Sequence, residues 1–360
     1  MRAAAVVDRP SSEREYTDPE SVAIDRMADL FEVREVDDPT PDADEAVVSV
    51  EACAVNPRDL HNVQGFRHSG GTERSSRHVD RLPFVPGTDV AGVVTAVGAD
   101  VSSVAPGDRV VHFPLRTCGT CTHCREGPEN RCREHRLADG GLAEQYVAPA
   151  DRLLALPDAL SFVAASALPV AFTTAQRMLS LADVEPTDRV FLPGATGGVG
   201  VAAVQLATVR GATTIGTSSA AAKLEALEAF GADHAVESED PETIREAVRN
   251  LGPVDATLNH MGGPFTDVGL DVLAPGGRMV VCGRTTGNVS EVNVRDLFWN
   301  QKRVIGSWMG SQNDLRRVVD LAAAGAVEPG VHATRDLAGT ADAFAALQDR
   351  DVVGKLVVTP

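Results

Sequence analysis

The sequence predicts an α/β protein of two domains, one β-rich and barrel-like, the other a doubly wound parallel sheet. Three observations predict it. Between about residues 172 and 306, short apolar strands alternate with helical patterns. A glycine-rich turn, Gly194 to Gly200, lies between one of those strands and the helix that follows. Residues 1 to about 155 instead carry short strands punctuated by Pro-Gly turns. At 360 residues the chain exceeds what one core organises and suits two.

The elements follow in order. Met1 to Val7 reads as a first strand, because acidic Asp8 follows at once and no small-residue cleavage site appears. Val47 to Cys53 alternates as a strand does. Val90 to Gly98 and Arg109 to Phe113 follow, after turns at Pro86-Gly87 and Pro106-Gly107. Residues 66–81 form a polar loop containing His68 and His78. In the second half, strand cores are Val190 to Leu192, Thr213 to Gly216, Ala256 to Leu258 and Met279 to Cys282. Helical patterns run from Val199 to Arg210 and from Ala221 to Phe230, the latter stopped by Gly231. The tail adds a helix, Asp314 to Ala324, and a last strand, Lys355 to Val358, expected to return to the first domain. The expected domains are therefore 1–171 with 307–360, and 172–306.

Charge narrows the partners. The formal net charge is −18, which argues against nucleic acid and anionic membrane surfaces. No apolar run approaches the roughly 18 residues that span a bilayer, so the expected location is the cytoplasm. Only Lys223, Lys302 and Lys355 are lysines. An acidic, lysine-poor composition suits a halophilic protein kept soluble in concentrated salt, although a GC-rich genome would also favour arginine.

Cys118, Cys121, Cys124 and Cys132 hold four of the six cysteines, with gaps of two, two and seven residues. Four thiolates on one centre match a closed tetrahedral zinc, which holds a loop and does no chemistry. An iron–sulfur cluster is the competing reading, but the last gap is longer than in bacterial ferredoxins and no second cluster motif appears. Cys53 and Cys282 lie in apolar strands and read as core residues.

The turn Gly194-Ala195-Thr196-Gly197-Gly198-Val199-Gly200 follows Phe191-Leu192-Pro193 and opens a helix. Glycines let the backbone approach a pyrophosphate, and the helix N-terminus offers free N–H groups. An ordinary tight βα turn is the alternative. The next strand ends at Thr217-Ser218-Ser219 and lacks the carboxylate that usually binds the NAD ribose diol. Ser218 and Ser219 can donate to a 2′-phosphate, with Lys223 a few residues on. Unless Lys223 is simply a surface residue of its helix, NADPH is expected over NADH.

Taken together, the cysteine spacing, Gly87 to Val94, Pro106 to Val110 and Gly194 to Gly200 resemble the medium-chain dehydrogenases and reductases: zinc-type alcohol dehydrogenases and their quinone-reductase cousins. The resemblance implies a GroES-like catalytic domain from both chain ends, with a structural-zinc lobe near 115–135, and a Rossmann domain between. It also implies a homodimer or homotetramer. In the alcohol dehydrogenases a cysteine, a histidine and a second cysteine hold a catalytic zinc. Here those positions read Asn56, Thr88 and Val170, with Asp89 beside Thr88. Valine and threonine cannot replace thiolate or imidazole on zinc, so one structural zinc and no catalytic zinc are expected. A relocated site using His61, His68, His78 and Asp89 is the alternative. Ala54 to Asp59 instead resembles quinone oxidoreductases and enoyl reductases, relatives that commonly lack the cysteine lobe.

Without a metal to hold an alkoxide, hydride addition to a carbonyl-conjugated C=C bond or a quinone is the accessible chemistry, because neutral donors can stabilise an enolate. The resemblance puts Asn56 near the nicotinamide ribose or the substrate oxygen. Thr88 and Asp89 would line the former metal pocket, and Asp59 would brace the loop. His61 falls at a proton-relay position, with a plain surface residue as the alternative. Thr174 would pack on the nicotinamide and Lys355 would reach the pyrophosphate. Asn259, Gly283 and Arg284 lie after later strands, where ligands bind such sheets. The expected function is an NADPH-dependent reductase of a small quinone or enone. Alternatives are an alcohol or polyol dehydrogenase with a non-standard metal site, and a non-catalytic NADPH-binding protein.

Overall fold

A computed structural model describes residues 1–8, 24–64 and 82–360. The loop 66–81, with His68 and His78, lies outside the described residues. The chain divides into two compact units. One holds Met1–Val170, Ser311–Ala323 and Val331–Pro360; the other holds Ala171–Gly310 with Ala324–Gly330.

In the first unit the elements are β1 (Arg2–Val6), β2 (Phe31–Glu35), β3 (Glu45–Val55), α1 (Pro57–Val63), β4 (Asp89–Val97), β5 (Arg109–His112), β6 (Leu115–Arg116), α2 (Thr122–Glu126), β7 (Arg136–Leu137), β8 (Gln145–Pro149), β9 (Leu153–Ala155) and α3 (Phe162–Ser166). The second unit holds α4 (Ala171–Leu181), β10 (Arg189–Leu192), α5 (Gly198–Val209), β11 (Thr213–Ser218), α6 (Ala221–Ala229), β12 (His234–Glu237), α7 (Pro241–Leu251), β13 (Val254–Asn259), α8 (Pro264–Asp271), β14 (Leu273–Val281), α9 (Val294–Trp299) and β15 (Arg303–Gly306). The chain then returns with α10 (Gln312–Ala323), β16 (Val331–Asp336), α11 (Thr340–Gln348) and β17 (Lys355–Thr359).

The first unit is organised by a seven-stranded sheet ordered β16-β17-β3-β4-β5-β9, with β8 also on β3. β3 is its spine: Ala46, Val48 and Val50 reach one apolar core with Val90, Val94, Val110 and Phe344. β17 joins β3 antiparallel, opposing Leu356 to Val55 and Val357 to Ala54. That register carries the C-terminus back to the end of β3, where α1 begins.

The second unit is a six-stranded parallel sheet ordered β12-β11-β10-β13-β14-β15. Parallel strands need crossovers, and helices α5 to α8 supply them. The order reverses between β10 and β13, the switch point where ligands bind in such sheets. The units part at 170/171 and 310/311. Residues 324–330 belong with the second unit, whereas the sequence places them with the tail. A reciprocal pair explains the difference: Gln205 on α5 donates to Glu328 O (2.8 Å) and accepts from Glu328 N (2.6 Å).

Candidate active site

The first unit gathers polar side chains where β3 passes into α1. Asn56 sits at the start of α1, and its own N–H is accepted by Asp59 Oδ2 at 2.8 Å. The Asn56 side chain turns to two partners. Its Oδ1 accepts from Lys355 Nζ at 2.5 Å, and its Nδ2 donates to Asp89 Oδ2 at 3.0 Å. Lys355 also donates to Val55 O (2.8 Å) and approaches Asp89 Oδ2 at 3.3 Å. All three residues are buried, Asp89 completely. Burial pushes the Asp89 carboxyl above the usual range against the pull of Lys355 and Asn56, with the Val170 backbone lending further support.

A second group braces the first. Thr88 Oγ1 donates to Asp59 Oδ1 at 2.6 Å and accepts from Arg58 at 2.9 Å. Arg58 forks onto Asp139 at 2.7 and 2.9 Å and lies 3.5 Å from Asp59. This clamp ties α1 to the loop after β7. Asp59 is fully buried, and burial pushes its carboxyl up to about 6 although Arg58 pulls it down.

Two expectations change here. Lys355 does not extend toward a pyrophosphate: its three hydrogens face Val55, Asn56 and Asp89, because the β17 register brings it against the end of β3. Thr88 does not offer its hydroxyl to the former metal pocket, since Asp59 and Arg58 take it. His61 is half-buried in the last turn of α1. Arg58 and Asp139 carried no sequence signal, being 81 residues apart.

These donors do not fit a catalytic zinc. An amide oxygen and a carboxylate remain, and both already face an ammonium. A dication on Asp89 would lie within a few ångströms of Lys355, where repulsion is about 8 kcal/mol at an effective dielectric of about 20.

In the second unit the glycine turn is shaped as a phosphate cradle. Gly194 adopts φ +65° and donates its N–H to Thr217 Oγ1 at 2.9 Å. A Cβ on Gly200 would meet Ala195 O at 2.3 Å, so only glycine lets α5 start this close to the turn. Gly197 is exposed with open space where a side chain would be, and no side chain caps α5. Thr196, Gly198 and Val199 are half-buried at this rim, and the first N–H groups of α5 are free for an anion. Ser218 ends β11 and is buried, Ser219 follows it and is exposed, and Lys223 is half-buried on α6. Thr174 is buried on α4 with its hydroxyl toward Met309 Sδ (3.9 Å).

Asn259 Oδ1 accepts from Met261 N and Gly262 N, and its Nδ2 donates to Thr266, so its side chain shapes the turn into α8. Gly283 packs against the His260 backbone, and Arg284 reaches Asn288. The residue missed by sequence is His260, whose Nε2 lies 3.1 Å from Gly194 O and whose pKa is lowered by burial.

In the cysteine lobe the sulfurs of Cys118, Cys121, Cys124 and Cys132 all lie within 4.8 Å of one another. Cys118–Cys124, Cys121–Cys124 and Cys132–Cys118 are 3.8, 3.5 and 3.6 Å apart. A tetrahedral zinc with Zn–S near 2.3 Å has S···S edges of about 3.8 Å, whereas a disulfide is about 2 Å. Cys53 is buried as expected, but Cys282 is only half-buried.

Against known proteins, residues 42–158 match the alcohol dehydrogenase GroES-like domain and residues 198–324 match the zinc-binding dehydrogenase family. An alcohol dehydrogenase of Moraxella sp. (strain TAE123) is 30% identical over 91% of this chain and 95% of its own. The chain belongs to the zinc-type alcohol dehydrogenase superfamily. This dehydrogenase is also similar to an acryloyl-coenzyme A reductase of Metallosphaera sedula, 28% identical over 91% of this chain and 96% of that one. Among solved structures, the 2-octenoyl-CoA carboxylase reductase CinF, in complex with NADP and 2-octenoyl-CoA, superposes with TM-score 0.84 at 26% identity, covering 99% of this chain and 87% of that one. No helix among the described residues is long and apolar enough to cross a membrane.

Proposed function

We propose that this dehydrogenase reduces a carbonyl-conjugated C=C bond, or a quinone, with NADPH and without a catalytic metal. One observation carries the reading: where relatives place a reactive zinc, Asn56 is held between Lys355 and Asp89. When bound, NADPH supplies hydride to the β-carbon of the acceptor. The C=C π pair then moves toward the carbonyl, the oxygen gains charge as an enolate, and the α-carbon takes a proton from solvent. Asn56 keeps one Nδ2 hydrogen after serving Asp89, and that hydrogen donates to the developing oxyanion. The α5 N-terminus holds the pyrophosphate, and Ser218, Ser219 and Lys223 receive the 2′-phosphate. The relatives named as acryloyl-CoA reductase and octenoyl-CoA carboxylase reductase support this chemistry. The named alcohol dehydrogenases support the second reading, alcohol oxidation with a metal held in another way.

The test is NADPH oxidation against enones, enoyl thioesters, quinones and, in reverse, alcohols. Turnover confined to alcohols overturns the proposal. Asn56→Ala should lower kcat by about 100-fold with zinc content unchanged; unaltered kinetics remove Asn56 from the site.

The four cysteines hold one zinc per chain in this reading, in a cytoplasm that keeps thiols reduced. In this reading the chain is a homodimer or a homotetramer. β15 is a sheet edge, and Phe298 (64% exposed) and Trp299 (73%) lie just before it. An unpaired edge beside exposed aromatics suits a second copy. Light scattering on Trp299→Asp should give monomers; an unchanged mass counts against this interface. The acidic, lysine-poor surface suits concentrated salt, so dilution into low salt should lower Tm.

A further inference from the structure

Lys355 stands out among the buried groups because it touches the site yet has no hydrogen left to give a ligand. An ammonium carries only donors, so the end of the Asn56 amide that faces it must be the oxygen. That assignment holds whether Asp89 is ionised or neutral. With Oδ1 against Lys355 at 2.5 Å and one Nδ2 hydrogen on Asp89 at 3.0 Å, the second Nδ2 hydrogen is the donor with no acceptor among the described residues. Rotating the amide by half a turn would put NH2 against an ammonium and oxygen against a carboxylate, losing two hydrogen bonds and adding two repulsive contacts. Resting on the reductase reading above, we infer that Lys355 is the positioning residue that fixes which end of the Asn56 amide meets the substrate oxygen. It acts as a polarity lock: the cation orients a neutral donor and does not itself touch the acceptor.

The lock predicts coupling. Lys355→Ala leaves Asp89 buried without its counter-charge, and a protonated Asp89 can donate to Oδ1 of a turned amide as well as accept from Nδ2, so the amide loses its fixed polarity and kcat for enone reduction falls about 100-fold while KM for NADPH holds. In an Asn56→Ala background the same change costs less than about twofold, because no amide is left to orient. Ethylammonium should restore kcat saturably to Lys355→Ala, and not to the double variant, whereas potassium at equal ionic strength should restore neither. Lys355→Arg keeps charge and donors and should retain most activity. If Lys355→Ala fails to fold because Asp89 is left buried and unpaired, Lys355→Met combined with Asp89→Leu removes both groups that orient the amide, and adding Asn56→Ala to that pair should again cost less than about twofold. Additive losses with no amine rescue overturn the lock and leave Asn56 as donor. Full activity in Asn56→Ala overturns the donor reading itself, and the lock falls with it.

Discussion

Asp59→Asn is the sharpest test of how the site is built. The wild-type carboxylate is wholly buried, accepts from Asn56 N and Thr88 Oγ1, and has Arg58 at 3.5 Å. Burial outweighs these partners and pushes the carboxyl up to about 6. The unfolded chain titrates Asp59 near 4, so the folded state holds the proton more tightly between about pH 4 and 6. Stability therefore falls as pH rises through that window. The penalty is absent below about pH 4 and complete above about pH 6, and the gap is worth about 3 kcal/mol. Asparagine keeps the shape: its Oδ1 can accept from Asn56 N, and the Thr88 hydroxyl can turn to accept from its Nδ2. Because it carries no charge, Asp59→Asn should gain stability relative to wild type by about 3 kcal/mol as pH rises from 4 to 7. Equilibrium urea unfolding of both proteins across that range, at constant high salt, reads the difference. A difference that stays flat refutes the reasoning. One that shrinks with pH would mean that Arg58 outweighs burial and holds Asp59 ionised.

Other outcomes follow from the remaining sites. Ser219→Asp puts a carboxylate where the 2′-phosphate is expected, so the ratio of kcat/KM for NADPH over NADH should fall roughly tenfold or more; an unchanged ratio moves the phosphate site elsewhere. Cys132→Ser replaces a buried cysteine of the proposed zinc site with a weaker donor, and should lower bound zinc below one per chain and Tm by several degrees, while X-ray absorption of wild type should show four sulfurs at about 2.3 Å.

What the sequence made legible was local. The cysteine spacing brings four sulfurs together because they lie within fifteen residues. The turn from Gly194 to Gly200 reads directly because strand, turn and helix are contiguous. Helix α7 went unread, although Asp240-Pro241 marks its start and Asp240 accepts from Thr243 N at 2.8 Å. Lys355 was placed wrongly because its partners are set by register, not by neighbours. Asn56 is 299 residues away, and only the pairing of Leu356 with Val55 brings them into contact. Asn259 has a local part that its position at a strand end does not announce: the following Met261 and Gly262 N–H groups take its oxygen. Thr88 had a choice of partners that sequence does not rank, and the buried Asp59 and Arg58 decided it.

Zinc stoichiometry of the active protein tests the central claim most directly. Plasma mass spectrometry on enzyme that is turning over an enone with NADPH should give one zinc per chain, accounted for by Cys118, Cys121, Cys124 and Cys132. Two per chain, with activity lost as the second is withdrawn, would contradict the account.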